Sequence, residues 1–253
     1  MKTLKNILIT GASSGIGAAL ALYYAKHNAE NLFLCGRNIE RLNEIKAQCE
    51  QFGCNVYIEQ IDIANRQKTE LWLQKCQQTA PLDIVYANAG ISTGEETTEN
   101  IYQTFATNVM GVLNTILPTV EIFKSTSSSG SKTIVITSSI AGYHGLAACP
   151  SYSASKACVK AYGEALRNQL KPLGIQVNVV CPGFVKSRIT DKNTCPMPFF
   201  MSAEKAAEII AQRVEKNVGL ITFPWPMRFA AWLISILPNC VSDYIYSALP
   251  HKV

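Results

Sequence analysis

Glycines at 11, 15 and 17 follow an apolar run at residues 4–10 and open a segment, 14–26, in which Ile16, Ala19, Leu20 and Tyr23 recur at helical spacing. A strand that turns into a helix through glycines brings bare backbone to the turn, with no Cβ in the way, and aims the amides of the helix N-terminus at whatever sits there. The same alternation continues along the chain. Apolar runs at 31–35, 55–61, 82–86, 133–137 and 176–180 read as strands, and amphipathic stretches at 39–51, 65–79, 101–124 and 151–171 read as helices.

The strands are apolar almost throughout rather than alternately, the pattern of strands covered on both faces. Strand–helix–strand units joined by right-handed crossovers then give an α/β, doubly wound parallel sheet of the Rossmann type, with ligands at the carboxyl ends of the strands. The serine-rich stretch 125–131 reads as a loop and not as a boundary. The expectation is therefore one domain over 1–253, with a flap at about 184–201 and an apolar, helical C-terminal segment at about 223–250.

Composition narrows the class. Apolar residues make up 48% of the 253 and charged residues only 16%, which suits a packed core rather than disorder. The formal charge is +5, from 23 basic and 18 acidic side chains, with no run of Lys or Arg, so a nucleic-acid partner is set aside. Nine cysteines, none in a Cys-x-x-Cys pair, read as reduced thiols of a cytoplasmic protein. Three histidines, at 27, 144 and 251, give little support to a metal site, and none is expected. No secretory signal and no stretch of roughly 18 apolar residues stands in the sequence.

Two stretches point to chemistry. The glycine turn suits the pyrophosphate of a dinucleotide, with an ordinary glycine turn as the plainer reading. After the second strand, where an acid would grip a ribose 2′-hydroxyl, the chain has Gly36 and Arg37. Arg37 can pair with a 2′-phosphate, which favours NADP(H) over NAD(H); a solvated arginine at a helix start is the alternative. Tyr152 and Lys156 lie four apart, on one helix face. A neighbouring ammonium is expected to lower the phenol from its usual pKa of about 10, making it an acid or base near neutral pH.

Together these segments resemble the short-chain dehydrogenase/reductase family over about residues 4–188. The turn from Thr10 to Gly17 matches its glycine motif. Asp62 matches the acid after the third strand, and Ala87-Asn88-Ala89-Gly90 its Asn-Asn-Ala-Gly segment, with Ala in the first place. Asn108-Val109-x-Gly111, Ser139, Tyr152 and Lys156 match the catalytic positions, and Pro182-Gly183 the turn beside the nicotinamide. Ser187 stands where Thr is usual. The thirteen-residue spacing to Tyr152 selects Ser139 over Ser138, since strand neighbours face opposite ways.

The resemblance implies interconversion of a ketone or aldehyde and an alcohol, with Asn108, Ser139, Tyr152 and Lys156 catalytic. Tyr152 would move the proton, Ser139 steady the carbonyl oxygen, Lys156 hold the nicotinamide ribose, and Asn108 extend a proton relay. It assigns cofactor contacts to Gly11, Ser13, Ser14, Gly15, Ile16, Gly17, Arg37, Asp62, Asn88, Ala89, Gly90, Tyr152, Lys156, Pro182, Gly183, Val185 and Ser187. It further implies a homodimer or homotetramer. Rival readings are a non-catalytic NADP-binding module that senses redox state, and an epimerase or dehydratase on a related fold.

The substrate side is thinner. The flap carries Pro196-Met197-Pro198-Phe199-Phe200-Met201, which suggests a small apolar carbonyl or alcohol, and His144, Leu146 and Phe184 are candidates for its pocket. Residues 227–237 read as a short helix, apolar nearly all round, with Arg228 its only charge. The favoured expectation is a buried helix capping the pocket or sealing a subunit interface. The sharper one is peripheral contact with a membrane surface, since the segment is too short to span it.

Overall fold

The computed structural model describes residues 5–126, 132–192, 197–238 and 240–241. Residue 4 of the predicted first strand, most of the serine-rich stretch, flap positions 193–196 and the predicted C-terminal segment beyond 241 lie outside the described residues.

The elements run β1 (Asn6–Thr10), α1 (Gly15–Lys26), β2 (Asn31–Gly36), α2 (Ile39–Glu50), β3 (Asn55–Gln60), α3 (Arg66–Thr79), β4 (Ile84–Ala87), α4 (Thr98–Phe105), α5 (Gly111–Ser125), β5 (Thr133–Thr137), α6 (Pro150–Leu170), β6 (Gln176–Pro182), α7 (Ala203–Glu215), β7 (Leu220–Phe223) and α8 (Trp225–Ile236). All seven strands pair parallel in the order β3-β2-β1-β4-β5-β6-β7. The order reverses between β1 and β4, which opens a crevice at their carboxyl ends. Sequence alternation had carried the sheet to residue 180; the structure extends it by α7 and β7, a four-residue strand too short to stand out beside the longer apolar runs.

Pleating divides the strand residues between two cores. Ile7, Ile9, Leu32, Leu34, Ile84, Tyr86 and Val135 pack under α1, α2 and α7. Leu8, Phe33, Val85, Ile134, Ile136 and Val177 pack under α3, α5 and α6. Register at the amino end of the sheet is pinned by asparagines that open β1, β2 and β3. Asn31 Nδ2 donates to Asn6 Oδ1 (2.8 Å), and Asn55 Nδ2 donates to Asn31 Oδ1 (3.1 Å). A slip of one residue would break both bonds and send each strand's side chains into the opposite core.

Helix starts follow capping chemistry. Asn38, Asn65, Thr97 and Ser202 each accept from the backbone N–H three residues on. The helix predicted over 101–124 is instead α4 and α5 joined by a π-helical turn at Ala106–Met110. Such turns insert one extra residue, and this one carries Asn108.

Candidate active site

Above the β1–β4 crevice lies an open cleft of about 500 Å³. Its floor is the glycine turn. Gly11 has φ +69° and Gly15 φ +56°, so both occupy backbone conformations that side chains rarely adopt. A Cβ on Gly11 would lie 2.7 Å from Ala89 Cα, and one on Gly15 would lie 3.0 Å from Ser187 Cβ. Ser14 starts α1 without a side-chain cap. The first amides of α1 therefore have neither an intrahelical partner nor a capping hydroxyl, and Ser13, Ser14, Gly15 and Ile16 line the cleft. The cradle fits the phosphates of a dinucleotide: a side chain at either glycine would fill it.

Gly17 does not line the cleft. A Cβ there would sit 2.3 Å from Gly11 O and 2.7 Å from Asn88 Nδ2, so this glycine lets α1 close onto the strand ends. Thr10, outside the predicted set, holds the opposite wall. Its hydroxyl donates to Tyr86 O (3.1 Å) and accepts from the N–H groups of Asn88 (3.0 Å) and Ala89 (3.1 Å). Asn88 Nδ2 donates back to Thr10 O at 3.1 Å.

Arg37 is exposed at the rim beside Gly36 and Asn38, and Asp62 stands across from the turn with Oδ1 accepting from Ala64 N (3.0 Å). Asn88, Ala89, Gly90, Pro182, Gly183, Val185 and Ser187 complete the predicted wall. Ile91, Thr93, Gln103, Thr107 and Arg188 also line it and carry no motif by which sequence could single them out.

The chemistry sits at the inner end. Lys156, 3% exposed, donates to Thr137 O at 3.0 Å, and its Nζ lies 5.7 Å from the centre of the Tyr152 ring. Ser138 Oγ donates to Lys156 O (2.7 Å), whereas Ser139 Oγ accepts from Ala141 N (3.1 Å) and lies near enough to the Tyr152 hydroxyl to pull its pKa down. The two serines thus turn to different partners.

The expectation that Lys156 lowers the Tyr152 pKa is corrected here. Burial pushes the phenol up to about 12, with Ser139 pulling the other way and Cys149 adding to the rise. Burial also pushes the Lys156 ammonium down to about 8. The physical reason is placement: Nζ faces the ring and spends a proton on Thr137 O, so desolvation of each group outweighs their attraction.

Asn108 is fully buried behind the wall. Its Oδ1 accepts from Ile91 N (2.8 Å), and its Nδ2 donates to Ile91 O (2.9 Å) and Ser155 Oγ (3.1 Å). A Cβ on Gly90 would lie 3.0 Å from Lys156 Nζ and 3.3 Å from Asn108 Oδ1, so bare backbone at Gly90 lets both groups converge.

His144, Leu146 and Phe184 do not line the cleft. Leu146 N donates to Ser153 Oγ (3.2 Å), and Phe184 O accepts from Met201 N (3.0 Å), which ties the two described ends of the flap together. For the C-terminal helix, the pocket-capping half of the expectation is corrected. No residue of α8 is buried, and Trp225, Phe229, Trp232, Leu233 and Ile236 are exposed, so it is not a buried cap. Its first turn reaches the site: a Cβ on Gly183 would lie 2.8 Å from Met227 Sδ. Among the described residues no helix is long and apolar enough to cross a membrane.

Residues 5–196 match the family model for short chain dehydrogenases. An "uncharacterized oxidoreductase" of Myxococcus xanthus is 32% identical over 250 residues, covering 94% of this chain and 95% of that protein. The 3-oxoacyl-[acyl-carrier-protein] reductase FabG of Rickettsia prowazekii is 33% identical, covering 98% and 95%. Among solved structures, a short-chain dehydrogenase of Sphingobium yanoikuyae in complex with NADPH superposes with a TM-score of 0.80 at 24% identity, covering 99% and 98% of the two chains. One from Burkholderia phymatum in complex with NAD superposes with a TM-score of 0.83 at 20% identity, covering 100% and 99%.

Proposed function

The chain belongs to the short-chain dehydrogenase/reductase family of oxidoreductases, and on that premise we propose that it interconverts a ketone or aldehyde and the matching alcohol with NADP(H). The observation that carries this reading is the Tyr152–Ser139–Lys156 cluster opening onto a cleft floored by uncapped helix amides. A nicotinamide dinucleotide, when bound, supplies or accepts the hydride.

The chain's own residues do the rest. The α1 amides and the Gly11–Ile16 turn hold phosphates, Asp62 serves the adenosine side, and the Asn88–Gly90 wall runs from there to Lys156. Ser139 donates to the carbonyl oxygen and steadies charge developing there. Tyr152 gives its proton to that oxygen in reduction and takes it back in oxidation. Lys156 reprotonates Tyr152, and the convergence of Nζ and Asn108 Oδ1 at Gly90 supports a relay leading away from the site.

Arg37, exposed at the rim with no carboxylate among Gly36, Arg37 and Asn38, supports a 2′-phosphate and so NADP(H) over NAD(H). A purely nucleotide-sensing module has no use for an amine buried against a phenol, whose burial costs folding energy with no return in chemistry. The FabG relative is by its name a reductase of a 3-oxoacyl group, which supports the same reaction class, reduction of a ketone. The exposed apolar face of α8 supports a contact outside the chain: a second copy in a homodimer or homotetramer, or a membrane surface touched peripherally from the cytoplasm.

The test is turnover of NADPH against a panel of apolar ketones. Tyr152→Phe should lower kcat by about 10²–10⁴-fold with cofactor binding retained. Arg37→Ala should raise KM for NADPH by about tenfold and leave KM for NADH unchanged. A Tyr152→Phe variant as fast as the wild type would overturn the proposal.

A further inference from the structure

The helix that carries Tyr152 and Lys156 begins without a cap of its own. Cys149 holds the cap position of α6 but makes no side-chain cap hydrogen bond, and Pro150, next in line, has no N–H. The first amide that a cap would serve is that of Ser151, immediately before Tyr152.

That amide is served from 55 residues away. Glu96 Oε1 accepts from Ser151 N (3.1 Å) and from Ser151 Oγ (2.8 Å), and Oε2 lies 3.3 Å from the same N–H. Ser151 is 7% exposed, so without Glu96 a buried amide and a buried hydroxyl lose these partners. A carboxylate also suits this place electrostatically, because the amino end of a 21-residue helix carries partial positive charge.

Glu96 sits on the loop between β4 and α4, whose first residues, Asn88-Ala89-Gly90, form the cofactor wall. Ile91 is clamped on both its N–H and its C=O by Asn108, and Thr97 caps α4. Between these anchors the chain passes Gly94 (φ +88°), where a Cβ would meet nothing within 4 Å. The open part of the loop is thus tied to the catalytic helix through Glu96.

We propose that Glu96 is a positioning residue. It closes the β4–α4 loop onto the amino end of α6 and so sets Tyr152 against the wall that faces the cofactor. This rests on the reading of Tyr152 as the proton donor, and the experiment separates the two claims.

Amide exchange at residues 151–153 and steady-state kinetics are measured for the wild type, Glu96→Ala and Glu96→Gln, with Tyr152→Phe as the reference for lost chemistry. Glu96→Ala should speed exchange at Ser151 by about tenfold or more and lower kcat about tenfold, with KM for NADPH and the melting temperature near wild type. Glu96→Gln keeps an oxygen that accepts from Ser151 and should restore both within about threefold. Unchanged exchange in Glu96→Ala would show that no clamp exists, and faster exchange with unchanged kcat would show a clamp without catalytic consequence; either result overturns the proposal. Equal damage in Ala and Gln variants, with the melting temperature falling in step, also overturns it. If the wild type and Tyr152→Phe turn over carbonyls equally, the reading of Tyr152 has failed, and the exchange data still decide whether Glu96 holds α6.

Discussion

At the scale of single residues, solvation decides what the reacting groups can do. Tyr152 and Lys156 share a helix face as their spacing requires, but proximity along a helix does not fix which atoms meet. Nζ lies over the ring and bonds Thr137 O, and burial pushes the phenol's pKa up to about 12, so it stays protonated across the neutral range. The sign for activity follows. Reduction needs the protonated phenol, which persists, so its loss with rising pH should track Lys156 giving up its charge around its lowered pKa of about 8. Oxidation needs the phenolate, so its rate should climb as pH rises from 7 to 10, by up to about tenfold per unit. Profiles of kcat/KM in both directions check this, and an oxidation rate flat over that range would refute it. The direction of the Tyr152 shift was beyond the reach of sequence, because desolvation depends on the atoms that close around a group and not on its neighbours in the chain.

At the scale of elements, the glycine turn and the catalytic helix were legible because each obeys a local rule: bare backbone at a sharp turn, and a four-residue spacing on α6. What was not legible depends on partners far along the chain. The π-helical turn at Ala106–Met110 lies inside an unbroken helical pattern, and the Asn108 it carries bonds to Ile91 and Ser155. Gly17 looks like a cofactor glycine but acts through packing. Gly17→Ala forces a methyl against Gly11 O, Asn88 Nδ2 and Gly11 C, two of them backbone atoms that cannot rotate away, and should cost about 1–3 kcal/mol or more of stability. A melting temperature equal to that of the wild type would contradict this.

At the scale of the whole molecule, a two-sided sheet buries nearly all strand residues, yet α8 stays outside both cores with Trp225 77% and Ile236 58% exposed. On the reading proposed above, such a face meets a second copy or a membrane surface. Phe229→Glu with Trp232→Glu changes two exposed side chains and should leave folding intact. It is expected to abolish either flotation with anionic vesicles or self-association in sedimentation, and loss of neither would show the face to be unused. Sequence alone determined the α/β class and the strand–turn–helix opening, because backbone geometry and hydrophobic period are written locally; of the cleft lining it reached the motif positions but not Ile91, Thr93, Gln103, Thr107 or Arg188. Only the tertiary structure decided the seventh strand, the position of α8, the cross-chain cap at Ser151 and the direction of the Tyr152 and Lys156 shifts. Each of these depends on which distant atoms exclude water from a group, and no local spacing encodes that.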